Sequence, residues 1–204
     1  TGARYHVAHI SSSHSVEMVA FAKARGLAVT AEATPHHLTL ADTDMTPYDS
    51  SFKMKPPLRS RKDVNTVLEG IVSGAVEVIA TDHAPHPGDE KMQEFERCPF
   101  GILGLETAIG ISLQQLVHTN KISLRRMVEL FTVNPARILG INRGTLAQGA
   151  PRRHHLLHRQ RVDLRCEQVV LEEPQHAVRR KNLPRRPHRD YRERRDHLAG
   201  IEFS

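Results

Sequence analysis

Three short apolar segments, each followed at once by histidine or aspartate, constrain this chain more than any other feature. Tyr5–Ser11 (YHVAHIS), Ala28–Thr34 (AVTAEAT) and Val76–Thr81 (VEVIAT) have the length and composition of buried strands. Polar, His-rich stretches close them: His9 lies in HISSSHS, His36 and His37 in PHHL, and Asp82, His83 and His86 in DHAPH. Helical patterns separate the strands. Ser13 or Ser15 can cap a helix with Val16, Val19, Ala20 and Phe21 on one face, ending at Gly26. Ser60 can cap another that carries Val64, Val67, Leu68 and Ile71. Strands and helices alternating at this spacing predict parallel βαβ units and an α/β fold.

A doubly wound nucleotide-binding sheet would need a glycine-rich first turn, which is absent. A (β/α)8 TIM barrel instead gathers its chemistry at the C-terminal ends of the strands, which is where the His and Asp residues fall. Beyond the third strand, Leu103–His118 and Ser123–Thr132 read as helices, and Asn134-Pro135 restarts a short one to Leu139. Gly140 and Gly144 then break the pattern.

The charge is unevenly placed. The whole chain has 29 Lys+Arg against 23 Asp+Glu, residues 152–204 hold 14 and 8 of these, and residues 1–151 therefore balance at 15 of each sign. The tail scatters Arg and His among Leu, Pro and Glu without period, and its aromatics are Tyr191 and Phe203. That composition lacks a stacking platform for single strands, so no nucleic-acid partner is expected. Two cysteines, Cys98 and Cys166, make neither a disulfide framework nor a CxxC pair. No apolar run approaches a membrane span, and a cytoplasmic, reducing setting is expected. The chain opens on Thr-Gly-Ala-Arg and runs straight into a strand, as a fragment would.

Neutral imidazole and carboxylate are the natural ligands of a catalytic zinc, which keeps one position open for water. Any one of these histidines alone reads more readily as a hydrogen-bonded loop or core residue. Grouped on three successive strand ends, they favour a metal-dependent hydrolase.

HVAHISS, TAEATPHHL, KMKPPLRS and IATDHAPH, followed by Pro99-Phe100-Gly101, resemble in order and spacing the bacterial dihydroorotases of the amidohydrolase superfamily. The resemblance covers residues 1–151; PPLR and a strand-end Asp alone would also admit hydantoinases and allantoinases. It implies about strands 6–8 of a (β/α)8 barrel over residues 1–143 and the start of a small β-domain at 144–151. It implies His9 as a zinc ligand and Asp82 as both ligand and catalytic proton carrier. His86, Phe100 and Gly101 match positions that hold the substrate ring and its carboxylate. Lys55 stands where the family usually has a substrate-contacting Asn. His36 and His37 are expected beside the ligands rather than among them, His6 in packing, and His14 and His118 on the surface. Arg59 is expected to anchor its loop.

The implied reaction is zinc-dependent, reversible hydrolysis of L-dihydroorotate to N-carbamoyl-L-aspartate in pyrimidine synthesis. Two zinc ions serve a complete site, and the family draws most of their ligands from strands 1, 4 and 5. This chain alone is therefore expected to be inactive. The partner is a small molecule, no membrane is involved, and a homodimer is compatible with the complete enzyme. A hydantoinase-type enzyme and a non-catalytic homologue are the alternatives. Residues 152–204 are expected to form no native domain. Arg152-Arg153-His154-His155 admits codons that, read one base on, give the Ala-Asp-Ile-Thr of the family, and two later segments behave alike.

Overall fold

A computed structural model describes residues 2–45, 47–144 and 148. The expectations for residues 152–204, and for nearly all of 144–151, lie outside the described residues.

Three parallel strands form the centre: β1 (Tyr5–Val7), β2 (Val29–Ala33) and β3 (Val78–Ile79), in the order β1-β2-β3. The register pairs Tyr5 with Val29 and His6 with Thr30, then Glu32 with Val78 and Ala33 with Ile79. All three are shorter than their apolar runs. Just past the strand ends the Ile10 and Ala80 N–H groups still bond to the Glu32 and Ala33 carbonyls. Parallel strands cannot be joined by tight hairpins, so long connections carry helices. Helix α1 (Ser13–Ala24) joins β1 to β2, and α2 (Arg61–Ser73) lies between β2 and β3. After β3 come α3 (Gly88–Lys91), α4 (Ala108–Ser112), α5 (Leu124–Phe131) and α6 (Val133–Leu139).

The core sits where α1 and α2 cover the sheet. Val16 and Val19 meet Val64, Val67, Leu68 and Ile71 over Ala31, Ala33, Val76 and Ile79. Gly70 permits the close approach, because a Cβ there would stand 2.8 Å from Val16 Cγ1. The expected face of α1 needs correction: Val16 and Val19 are buried, but Ala20 and Phe21 are exposed. At 3.6 residues per turn Phe21 lies about 140° round the helix from Val16, and it stacks under the Arg25 guanidinium instead. The predicted helix over Leu103–His118 is also shorter. Regular α-helix begins at Ala108 and passes into a π-helical turn over Leu113–Val117. Among the described residues no helix is long and apolar enough to cross a membrane.

Caps set the helix starts. Ser12 caps α1 in place of Ser13 or Ser15, Ser60 caps α2 as expected, and Ser123 caps α5. Asp63 does more than support its own helix. Its Oδ1 accepts the Ser13 N–H at 2.8 Å and its Oδ2 the Ser60 hydroxyl at 2.5 Å, tying the first turn of α1 to that of α2. These donors, the Ser13 N–H foremost, hold the carboxyl down at about 2 from an ordinary 3.8. A carboxyl depressed in the fold stabilises it above its ordinary range and loses that contribution as pH falls through the folded value. Asp63→Asn should therefore cost about 1 kcal/mol at pH 6 and remove part of the stability loss between pH 4 and 2. Urea unfolding of both proteins across that range checks this, and parallel acid profiles would contradict it.

Candidate active site

His9 and Asp82 come together at the C-terminal ends of β1 and β3, with Glu32 of β2 between. His9 follows β1 by two residues and Asp82 follows β3 by three, beyond the reach of regular pairing. Both adopt left-handed backbone, with φ of 53° and 45°. Non-glycine residues rarely take that conformation, and it clusters where a fold over-determines a functional side chain. The turn aims His9 Nε2 at Asp82 Oδ1, 3.7 Å away, with both side chains about a third exposed. His9 Nδ1 lies 2.8 Å from Glu32 Oε1, at ion-pair distance though outside hydrogen-bond alignment. The other Glu32 oxygen lies 3.2 Å from His6 Nε2, and His6 Nδ1 lies 2.7 Å from Thr30 Oγ1. His6 is thus part of a polar chain rather than apolar packing.

A nitrogen and an oxygen 3.7 Å apart are closer than twice a zinc–ligand bond of about 2.0–2.2 Å, so both can reach one ion. The donor types suit zinc. Two protein ligands are nevertheless fewer than a catalytic zinc takes, and among the described residues no group of three or more His, Cys, Asp or Glu is placed to hold a metal.

His36 and His37 sit in a short 3₁₀ turn just beyond β2, both buried. His37 Nε2 lies 3.0 Å from the Pro56 carbonyl and Nδ1 2.7 Å from Thr34 Oγ1. A carbonyl only accepts, so Nε2 carries the hydrogen and Nδ1 accepts from the threonine. The ring therefore ties the loop around Pro56 to the end of β2, and makes no hydrogen bond to His9 or Asp82. Both His36 nitrogens are buried without a partner. Burial above all, then the neighbouring His37 and His9, pushes His36 down to about 2; burial also takes His37 down to about 4.

The loops that carry the other candidates are stapled by two lysines. Lys53, which is only 8% exposed, donates to the carbonyls of Phe95, Glu96 and Cys98 at 2.6, 3.0 and 2.7 Å. Its ammonium also lies 4.7 Å from the Phe100 ring centre. Lys91 donates to the carbonyls of Ser50, Lys53 and Pro99. Gly101, at φ 151°, donates its N–H to the Lys53 carbonyl, and a Cβ there would stand 2.6 Å from the Ala84 oxygen. His86 Nε2 donates to the Phe100 carbonyl at 2.9 Å, and Nδ1 lies 3.3 Å from Glu90. His86, Phe100 and Gly101 are therefore one connected unit. His83 faces elsewhere, its Nδ1 accepting from the Gly104 and Leu105 amides. Arg59 reaches Ser11 Oγ, while Lys55 is exposed beside the cis Lys55–Pro56 peptide. His14 is exposed, whereas His118 is half-buried with Nε2 shielded, against the surface expectation.

Sequence reasoning missed Glu32, Lys53 and Lys91. Glu32 had a visible signal as the lone charge in the apolar run AVTAEAT. The lysines had none, because their partners are backbone carbonyls, all but that of Pro99 about 40 residues away.

No family model matches the chain. Among curated proteins it is similar to the dihydroorotase of Solibacter usitatus (strain Ellin6076), 60% identical over 151 residues that make 74% of this chain and 35% of that protein. The dihydroorotase of Pelotomaculum thermopropionicum is 51% identical over 150 residues, 74% of this chain and 35% of its own. That of Geobacillus kaustophilus is 44% identical over 183 residues, 90% of this chain and 41% of its own. A match of that length includes part of residues 152–204, the segment read from the sequence as out of frame. The chain thus spans about a third to two fifths of the length of these curated relatives. Among solved structures, dihydropyrimidinase from Brevibacillus agri NCHU1002 is similar with a TM-score of 0.68 at 26% identity, over 73% of this chain and 34% of that one. L-hydantoinase from Arthrobacter aurescens gives 0.68 at 29%, with the same coverage.

Two measurements test this site. His36→Phe removes no hydrogen bond, so stability at pH 8 should change by no more than about 1 kcal/mol. A histidine held neutral in the fold stabilises it above the ordinary 6.5 and loses that contribution as pH falls towards the folded value. The variant should therefore lose less stability than the parent between pH 6.5 and 4; an equal loss in denaturant titrations would show that His36 is not the buried titrating group. Lys53→Met leaves three carbonyls without their donor and should cost roughly 2–3 kcal/mol. A midpoint unchanged within error would show that the ammonium contributes nothing.

Proposed function

We propose that this chain, a member of the dihydroorotase family, carries the part of a barrel that brings one zinc ligand and the proton-handling carboxylate to the active site. In this reading β1, β2 and β3 are strands 6, 7 and 8 of a (β/α)8 barrel. The observation that supports it best is the approach of His9 Nε2 to Asp82 Oδ1 at 3.7 Å, each from left-handed backbone at a strand end.

The whole protein's reaction is then hydrolysis of the cyclic amide of L-dihydroorotate to N-carbamoyl-L-aspartate, and its reverse, in pyrimidine synthesis. When bound, zinc would supply Lewis acidity to a carbonyl oxygen and to water. His9 and Asp82 would be among its ligands, with the others drawn from outside the described residues. Asp82 also accepts the proton of the attacking water as the new C–O bond forms. It returns that proton to the ring nitrogen as the C–N bond breaks, so the step needs no further acid. The joined unit of His86, Phe100 and Gly101 holds the ring and its carboxylate, with exposed Lys55 at the rim. A cytoplasmic small-molecule enzyme, homodimeric when complete, fits this reading.

A hydantoinase-type activity is the second reading, supported by the solved structures of similar fold, which are hydantoinases and a dihydropyrimidinase at 26–29% identity. The 44–60% identity to dihydroorotases favours the first. A chimera separates them: residues 1–151 of this chain replace the matched portion of the Solibacter usitatus protein, and the product is assayed with dihydroorotate and with hydantoins. Dihydroorotate should be preferred, and Asp82→Asn in the chimera should lower turnover by about 10²–10⁴-fold. A preference for hydantoins, or an Asp82→Asn chimera within tenfold of its parent, would defeat the reading.

A further inference from the structure

We propose that Lys53 is a positioning residue for the substrate, one that touches no reacting atom but holds the loop bearing Phe100 and Gly101 in a fixed relation to the segment bearing Lys55, and so sets affinity. The inference deepens the reading of His86, Phe100 and Gly101 as the substrate unit. It rests on that reading for its consequence but not for the hold on the loop.

An ammonium carries three hydrogens and accepts none, so burying one requires acceptors that converge on it. Lys53 finds all of them in a single loop, where the carbonyls of Phe95, Glu96 and Cys98 stand 2.6, 3.0 and 2.7 Å from Nζ. Three carbonyls within four residues face one point only if the chain curls around it, so the ammonium dictates the curl. It also lies 4.7 Å from the Phe100 ring centre, within cation–π reach, while Phe100 stays 53% exposed. With its three hydrogens engaged and its side chain buried, Lys53 has none left for a substrate. Any effect it has on binding comes through the loop.

The main chain of the same residue completes the hold. The Lys53 carbonyl accepts the Gly101 N–H at 2.9 Å, and His86 Nε2 donates to the Phe100 carbonyl at 2.9 Å. Both groups belong to the one peptide unit between Phe100 and Gly101, which is pinned at each end. Behind it the Ala84 carbonyl leaves no room for a Cβ on Gly101, so the loop has no slack on that side. Lys91 adds a bond to the Pro99 carbonyl, but it is Lys53 that lies two residues from Lys55. Met54, between them, is buried with Leu40 and Leu58 and roots the segment in an apolar cluster. Lys53 carries that fixed reference across to the loop. A substrate that must order a loop on binding loses affinity to the ordering, and a loop already held spares it that loss. The loop is held alike before and during reaction, so the effect falls on KM rather than on kcat.

¹⁵N relaxation of the whole chain reads the hold independently of stability, because order parameters describe the folded molecule. The Phe100 and Gly101 amides should give about 0.85 in the parent and below about 0.6 in Lys53→Met, with Ala31 and Ala33 unchanged. Values that stay near the parent's in the variant overturn the proposal. Affinity is read in the dihydroorotase chimera, where Lys53→Met should raise KM for dihydroorotate by about tenfold or more and leave kcat within about threefold. Lost stability alone does the reverse, lowering turnover through a smaller folded fraction at unchanged KM. Lys23→Met, which removes a lysine bound to the Gly74 and Ala75 carbonyls at the other end of the sheet, should show that second pattern. The same pattern in Lys53→Met overturns the positioning role. His86→Ala tells the two readings apart, since it should also raise KM. If it does not, the assignment of this loop to the substrate fails, and the order parameters alone judge Lys53.

Discussion

Backbone pairing through Val29–Ala33 is the constraint on which the other features depend. This strand bonds to β1 along one edge and β3 along the other, and Ala31 and Ala33 are fully buried beneath the helices. Its small side chains let α1 and α2 pack close to the sheet. Its register also decides which residues meet beyond the strand ends. Because the strands are parallel, those ends lie on one side, and the segments after β1, β2 and β3 must share it. A slip of one residue would turn Glu32 away from His6 and His9 and into the apolar face.

Polar contacts take over where pairing stops. The site side of the molecule is held by groups that are individually expensive to bury and acceptable only because each is satisfied. Lys53 and Lys91 place two ammonium ions among six carbonyl oxygens, and His37 joins Thr34 to Pro56. On the opposite end, Lys23 pairs with Glu77 and donates to the Gly74 and Ala75 carbonyls, securing the approach to β3. Exceptions include His36, buried with neither ring nitrogen partnered, and His9, whose Nδ1 lies beside Glu32 without hydrogen-bond alignment. The apolar core thus fixes the strands, and the polar staples fix the loops that bear the candidate site.

Much of the fold is legible in the sequence because its signals are local. Strand runs, Ser60 as a cap, and the break at Gly140 each depend on residues within a turn or two. Errors arise where local rules are weakest: Phe21 was placed on a face its position around the helix does not allow, and the Leu103–His118 run hides an irregular start and a π-helical turn. His9 and Asp82 stand out because polar, metal-capable residues directly after apolar strands are chemically conspicuous. Lys53 and Lys91 do not, since a lysine in a loop looks the same whether its ammonium meets water or buried carbonyls.

The sequence by itself determined the order and kind of the elements and the placement of His and Asp at strand ends, since hydrophobic period and capping act over a few residues. Only the tertiary structure decided the partners: Glu32 between His6 and His9, Asp63 bridging two helices, the lysine staples, and the left-handed turns that bring His9 to Asp82. Those contacts join residues tens of positions apart. Their geometry follows from strand register and loop closure, which no local pattern of side chains encodes.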